Sequence, residues 1–300
     1  MDQIVQKIRA LKEEKGAIIL AHNYVNPEIQ DIADFVGDSL ELSIKAKNSD
    51  AKIIVFCGVS FMAETAKILS PESKVLHPVR EAGCAMADMA KAEDIAAYRK
   101  ANPDTVLVAY VNTTAAAKAE VDICCTSANA EKVVNSIASE KKIMFLPDRN
   151  LGANVSRTTG RAIELWPGFC PTHNRITRDM LLAAKAQHPG APLLIHPECP
   201  PETTALADHA LSTGGMLRVV KESPAKEFII GTEYGIIHRL VKENPDKKFY
   251  PLEPLPACTD MKSIKLEDIL NCLETGYGEI VLDKEMMDRA RLPIERMLAL

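Results

Sequence analysis

Aromatic residues make up only 5% of this 300-residue chain, and tryptophan occurs once. No block of basic residues stands out: 36 lysines and arginines face 41 acidic residues, for a net charge of −5. A nucleic-acid partner is therefore not expected. No apolar run approaches the roughly 18 residues a membrane-crossing helix needs, so no membrane partner is expected either. The opening segment MDQIVQKIRALKEEKG reads as a charged amphipathic helix and lacks the apolar stretch of a secretory signal. These absences lead to the expectation of a cytoplasmic protein whose eight cysteines are reduced thiols. An even count is then no argument for disulfides. Low-complexity segments and flexible linkers are missing as well. The hydrophobic fraction of 47% is ordinary for a globular chain, and the length suits two or three small domains.

What is present is a threefold repeat. Cys84, Cys170 and Cys258 lie 86 and 88 residues apart. Three apolar runs ending in polar residues recur with nearly the same period: AIILAHNY, TVLVAYVN and PLLIHPEC. Each is followed by a hydroxyl-bearing turn, ending at Ser39, Ser127 and Thr213. A second apolar run follows (KIIVFCG, KIMFLPD, EFIIGTE), and a third leads to the cysteine. A period this long indicates duplicated domains rather than solenoid units. Short β-branched runs alternating with helical segments predict parallel sheets covered by helices. The fold class expected is α/β: three pseudo-equivalent α/β domains, with short parallel sheets, around a pseudo-threefold axis. The units read as residues 1–86, 87–174 and 175–263. The tail 264–300, helical at both ends, is expected to pack on the first.

In open parallel sheets, ligands bind beyond the carboxyl ends of the strands. That rule selects His22, Asn23 and Tyr24, then Tyr110 and Asn112, then His196 and Glu198. It also selects the hydroxyls Ser39, Ser127 and Ser212 with Thr213, read as helix N-caps. Three helix N-termini facing one centre suit a bound anion. Arg149 and Asn150 end a strand of the second repeat and read either as centre-facing or as a domain brace. His77, His173 and His238 receive no role.

A lone cysteine is most often a small buried hydrophobe, and Cys57 and Cys272 read that way. Cys124 and Cys125 are adjacent, point to opposite strand faces and are not expected to share a metal. Cys199 has no counterpart in the other repeats. Cys84, Cys170 and Cys258 each follow a strand, in a loop containing Gly or Pro. Three thiolates suit zinc or an iron–sulfur cluster, and the paired C-x-x-C usual for zinc is absent. A [4Fe-4S] cluster normally takes four thiolates; with three, one iron stays open for Lewis-acid chemistry. Electron transfer uses the same cluster, and spacing does not separate the two.

The chain resembles the quinolinate synthase family, iron–sulfur enzymes of de novo NAD biosynthesis. The matching strings are AHNYVNPEIQDIADFVGDSLEL, FCGVSFMAETAKIL, AYVNTTAAAKAEVDICCTSANA, LPDRNLG, IHPECPPE, LSTGGM and GTEYGIIHRL. They run in the family's order from about residue 10 to the C-terminus. The resemblance implies three α/β domains around a central [4Fe-4S] cluster with three cysteine ligands and one open iron. It implies condensation of iminoaspartate with dihydroxyacetone phosphate to quinolinate, phosphate and water. It assigns Cys84, Cys170 and Cys258 to the cluster. It assigns His22, Ser39, Tyr110, Asn112, Ser127, His196, Glu198 and Thr213 to substrate, and Tyr24 to the chemistry. Side-chain chemistry adds Glu198 as general base, with Tyr24, His196 and Tyr110 moving protons. An aspartate oxidase or aspartate dehydrogenase is the expected source of iminoaspartate. Some family members carry C-x-x-C-x-x-C near the last ligand. Here Cys258 is followed by Thr259, Asp260 and Met261, so redox control through that element is not expected. The alternatives weighed are another three-cysteine [4Fe-4S] enzyme and a non-enzymatic iron- or oxygen-sensing cluster protein. Polar residues converging on an open iron count against a sensor.

Overall fold

The computed structural model describes residues 2–300. Its strands form three separate four-stranded sheets. The first sheet holds β1 (Ala17–His22), β2 (Phe35–Gly37), β3 (Ile53–Cys57) and β4 (Lys74–Leu76). The second holds β5 (Thr105–Tyr110), β6 (Ile123–Cys125), β7 (Lys142–Leu146) and β8 (Glu164–Leu165). The third holds β9 (Leu193–Ile195), β10 (His209–Ala210), β11 (Glu227–Gly231) and β12 (Lys248–Pro251). The spatial orders are β2-β1-β3-β4, β6-β5-β7-β8 and β10-β9-β11-β12. Every pairing is parallel, so each connection must cross over, and helices supply the crossovers. This is the expected α/β architecture of three equivalent sheets. The central strands are covered on both faces, which is why AIILAH and TVLVAY read as nearly unbroken apolar runs.

Each sheet is pinned by the same aspartate device. Asp34, Asp122 and Asp208 stand just before the second strand of their units. Their carboxylates accept the backbone N–H of Ile19, Leu107 and Leu193, each at 2.8 Å. In return their own N–H groups donate to the carbonyls of those residues at 2.9–3.0 Å. A cation on the preceding helix closes each device: Lys12, Arg99 and Lys185 pair with Asp34, Asp122 and Asp208. The device joins the start of the second strand to the middle of the first. A one-residue slip would turn every side chain to the other face, so it fixes which residues end each strand.

One apolar core runs through the first two units and into the third. A smaller one, built on Ile176, Leu181, Leu193, Ile195, Ile229 and Leu252, serves the outer face of the third sheet. The closing segment divides. Helix Leu266–Thr275 packs on helix Asp2–Lys15 and β3, whereas helix Lys284–Leu298 lies against helices Ser60–Leu69 and Ala115–Lys118 and against β6. The tail therefore bridges two units: its last helix crosses onto the second because the apolar positions Ala290, Pro293, Ile294 and Met297 are buried there.

Asp34→Ala leaves the Ile19 N–H without its acceptor and should cost about 1–3 kcal/mol. Lys12→Ala removes only a partly exposed ion pair and should cost less than about 1 kcal/mol. Urea unfolding measures both; equal losses would show that the ion pair, not the backbone hydrogen bond, carries the device.

Candidate active site and metal centre

The carboxyl ends of the three sheets meet at one cavity, with about 270 Å³ open to the centres of water-sized molecules. Twelve residues singled out above line it: His22, Tyr24, Ser39, Cys84, Tyr110, Asn112, Ser127, Cys170, His196, Glu198, Thr213 and Cys258; Asn23 and Ser212, selected by the same strand-end rule, do not. Val59, Phe61, Met62, Met86 and Met261 give it an apolar wall.

Each first strand ends in a pair of functional groups two residues apart: His22 and Tyr24, Tyr110 and Asn112, His196 and Glu198. In two units the pair is locked by the same bond. The Tyr24 N–H donates to His22 Nδ1 at 3.2 Å, and the Glu198 N–H donates to His196 Nδ1 at 3.3 Å. An accepting Nδ1 puts the proton of a neutral ring on Nε2. Burial holds both rings neutral, pulling each pKa down to about 3 against the opposing pull of Glu198. His196 Nδ1 also lies 3.9 Å from Glu198 Oε2, but a nitrogen that accepts an N–H is no ion-pair partner.

Of the expected caps, Ser212 holds its place, Ser39 sits one residue inside its helix, and Ser127 opens none. Asp38 caps helix Ser39–Lys47, accepting from Leu40 and Glu41 while Glu41 answers its N–H. Ser212 caps helix Thr213–Glu222. Ser39 and Thr213 are therefore first helical residues, with their hydroxyls free of the capping role. No helix opens at Ser127; Asn129 Oδ1 instead holds the Thr126 N–H at 2.7 Å, and the helix begins at Ala130. The first and third helix starts touch: a Cβ at Gly214 would lie 2.7 Å from Asp38 Oδ2, and Asn23 Nδ2 donates to Thr213 Oγ1 at 3.2 Å.

Each cysteine lies ahead of a short helical turn: Ala87–Met89, His173–Arg175 and Thr259–Ser263. In all three the backbone N–H three residues on, at Ala87, His173 and Met261, lies near enough to the thiol to favour its thiolate form. Burial pushes the Cys84 thiol up to about 12 and the Cys258 thiol up to about 11, with those N–H groups pulling the other way. Buried thiols with waiting N–H donors suit a cation that takes them as thiolates and releases their protons. Cys57, Cys124, Cys125, Cys199 and Cys272 are buried in the core. Among the described residues, the group whose ligand atoms all lie within 4.8 Å of one another is Cys170, His173 and Glu198. The three thiols are not such a group. They do line the same cavity.

His173, which the sequence left without a role, stands at the centre. Its Nδ1 lies 2.7 Å from Glu198 Oε2 and 3.2 Å from Cys170 Sγ, and its Nε2 lies 2.8 Å from Thr232 Oγ1. Thr232 in turn lies 2.6 Å from the Tyr24 hydroxyl. A carboxylate only accepts, so Nδ1 carries the proton. In the neutral ring Nε2 then accepts from Thr232, which accepts from Tyr24. The Tyr110 hydroxyl donates to Glu198 Oε1 at 2.5 Å. Burial alone would push the Glu198 carboxyl up; His173 and the donated hydrogen bonds more than reverse this and hold it below the usual carboxylate range. Burial, then the Glu198 charge, push both phenols up, keeping them as donors.

Thr232 also escaped the sequence reading. Its counterparts are Gly58 and Pro147, and those of His173 are Ala87 and Met261, so the repeat gives neither residue a signal. Asn150 is a brace, donating to Asn174 Oδ1 and to the Glu198 carbonyl. Arg149 stacks on Phe169, 4.5 Å from the ring centre.

The neutral histidines fix a pH dependence. Between pH 6.5 and 3 the unfolded chain binds protons at His22 and His196 that the folded chain refuses. The stability from these rings is complete above pH 6.5 and falls as pH drops toward 3, by about 2 kcal/mol per ring from pH 6.5 to 5. The His22→Asn, His196→Asn double variant should lose less stability over that interval than the parent in urea unfolding; equal losses would mean the rings are protonated in the folded state.

The family model described as "Quinolinate synthetase A protein" matches residues 6–299. A "Quinolinate synthase" of Methanoregula boonei is 52% identical over 295 residues, 98% of this chain and 97% of that protein. The proteins of that name from Geobacter metallireducens and Desulforudis audaxviator are 49% and 50% identical over 299 residues, spanning 100% of this chain and 98% and 99% of theirs. With a family model spanning nearly the whole chain and relatives at half identity end to end, this chain belongs to the quinolinate synthetase A family.

Proposed function

We propose that the protein is a quinolinate synthase that condenses iminoaspartate with dihydroxyacetone phosphate to quinolinate, phosphate and water. Family membership carries the reaction. The observation that supports it most directly is the single cavity where three thiols, a buried carboxylate and three pairs of strand-end groups meet. Membership implies an iron–sulfur cofactor. We assign it as a [4Fe-4S] cluster held by Cys84, Cys170 and Cys258, since soft thiolates select such clusters. When bound, it supplies Lewis acidity at an iron without a protein ligand.

The chain's own groups divide the remaining work. Ser127, Asn112 and Thr213 take the substrate carboxylates as neutral donors, Asn112 from its Nδ2. His22, donating from Nε2, and Ser39 complete this cradle. Glu198 is the general base for the carbons next to a carbonyl. Its held-down carboxyl stays ionised until a proton is delivered to it. The hydrogen bonds from Tyr24 to Thr232, from Thr232 to His173 and from His173 to Glu198 all point toward Glu198, so the chain can deliver a proton from the Tyr24 end of the cavity to that carboxylate. Tyr110 serves the other carboxylate oxygen, and His196 donates from Nε2. The apolar wall excludes competing water. Iminoaspartate is expected from an aspartate oxidase or aspartate dehydrogenase acting upstream.

The decisive assay is anaerobic. The cluster-loaded protein should form quinolinate, detected by mass, only when both substrates are supplied. Glu198→Gln should lower turnover about 10²–10⁴-fold, the usual scale for a lost general base, with iron content unchanged. Cys84→Ala should fail to hold a full cluster. No product from the fully loaded parent would refute the reaction, near-normal turnover of Glu198→Gln would refute its role, and a full, active cluster in Cys84→Ala would refute the three-ligand assignment.

A further inference from the structure

Lys118 has no solvent exposure, and no step above uses it. Its Nζ is bonded to backbone carbonyls rather than to a carboxylate: it donates to Val111 O at 2.7 Å and to Thr113 O. It also lies 5.3 Å from the centre of the Phe61 ring. Three N–H donors thus face two carbonyls and an aromatic face.

Those two carbonyls flank Asn112. The Thr113 N–H closes onto Val111 O at 2.8 Å, a three-residue turn at the end of β5 with Asn112 at its apex. The Val111 N–H is held by Cys125 O at 2.8 Å, so the strand side of the turn is fixed by the sheet. The far side is held by Lys118, from the end of helix Ala115–Lys118. Asn112 lines the cavity, and its Nδ2 is the donor a carboxylate can take.

A buried ammonium costs more stability than an apolar side chain of similar volume, so stability alone does not account for it. We propose that Lys118 is a positioning residue: its ammonium pins both carbonyls of this turn and so holds the Asn112 amide in the cavity for a substrate carboxylate. The inference rests on the reading of the cavity as a dicarboxylate site. Burial pulls the Lys118 pKa down to about 8, with Cys124 the leading group opposing it; a neutral amine would still donate to both carbonyls. Hydrogen-bond geometry therefore makes the clamp.

A double-mutant cycle tests this on the cluster-loaded protein, with quinolinate as the probe. Its Kd is read from calorimetry and from the change in cluster absorption, beside a urea midpoint for each variant. Asn112→Ala and Lys118→Met should each weaken binding about tenfold, and the double variant should be no worse than the weaker single, because both act through one contact. Lys118→Arg, which keeps the donors, should bind more tightly than Lys118→Met; a purely volumetric role would not show that rescue. Should Lys118→Met not fold, Lys118→Gln carries the same cycle. If Asn112→Ala weakens binding and the Lys118 variant does not, or if the two losses multiply, the positioning role is wrong. If Asn112→Ala itself is neutral, the carboxylate reading of that position fails, and the clamp's function fails with it.

Discussion

Parallel pairing is the constraint on which the rest of this protein depends. A parallel sheet sends all its strands the same way, so each unit has one end where the chain leaves the ladder and its backbone groups need other partners. The structure turns three such ends toward one cavity. What would be three sets of loose loops becomes a closed site. The aspartates at 34, 122 and 208 fix each strand pair in register, and register decides that His22, Tyr110 and His196 are the residues that emerge.

The cavity is electrostatically economical. Its histidines at 22 and 196 are held neutral by burial, its phenols stay protonated, and its thiols are lifted above their usual range. Glu198 is the buried negative charge that this arrangement supports, through Tyr110 on one oxygen and His173 on the other. Its influence reaches His22, Tyr24, Cys84 and Cys170. This carboxylate thus adds to burial in setting the protonation of groups from the first two units. Removing it would change the acid–base character of the whole site, not one contact.

Threefold repetition serves the scaffold, and departures from it serve the chemistry. The aspartate device, the strand-end pairs and the thiol-to-N–H approaches recur in every unit or nearly so. The relay does not: Tyr24, Thr232 and His173 come from three different units, and their counterparts are Asn112 and Glu198, Gly58 and Pro147, Ala87 and Met261. Identical units can enclose a site, but only differing side chains can give it a direction along which a proton moves.

The sequence by itself determined the threefold repeat of sheets, the order of their strands, and twelve of the residues that line the cavity. These were legible because each landmark is local: an apolar run, the polar residues that end it, a hydroxyl turn, a cysteine in a Gly/Pro loop, each recurring near 86–88 residues. The family strings then attached roles to the same positions. Ser212 caps its helix as read, but the first cap is Asp38 rather than Ser39, because the two are adjacent and both suit the position; only backbone geometry separates them. Tertiary structure alone decided the rest. It brought Thr232 and His173 between Tyr24 and Glu198, sent the last helix across to the second unit, and set Lys118 beneath the Asn112 turn. Those contacts join residues with no shared period and, in the relay, more than 200 positions apart. Hydrogen bonding acts over a few ångströms, and which distant groups come that close is settled by how the three sheets pack, not by any local pattern in the chain.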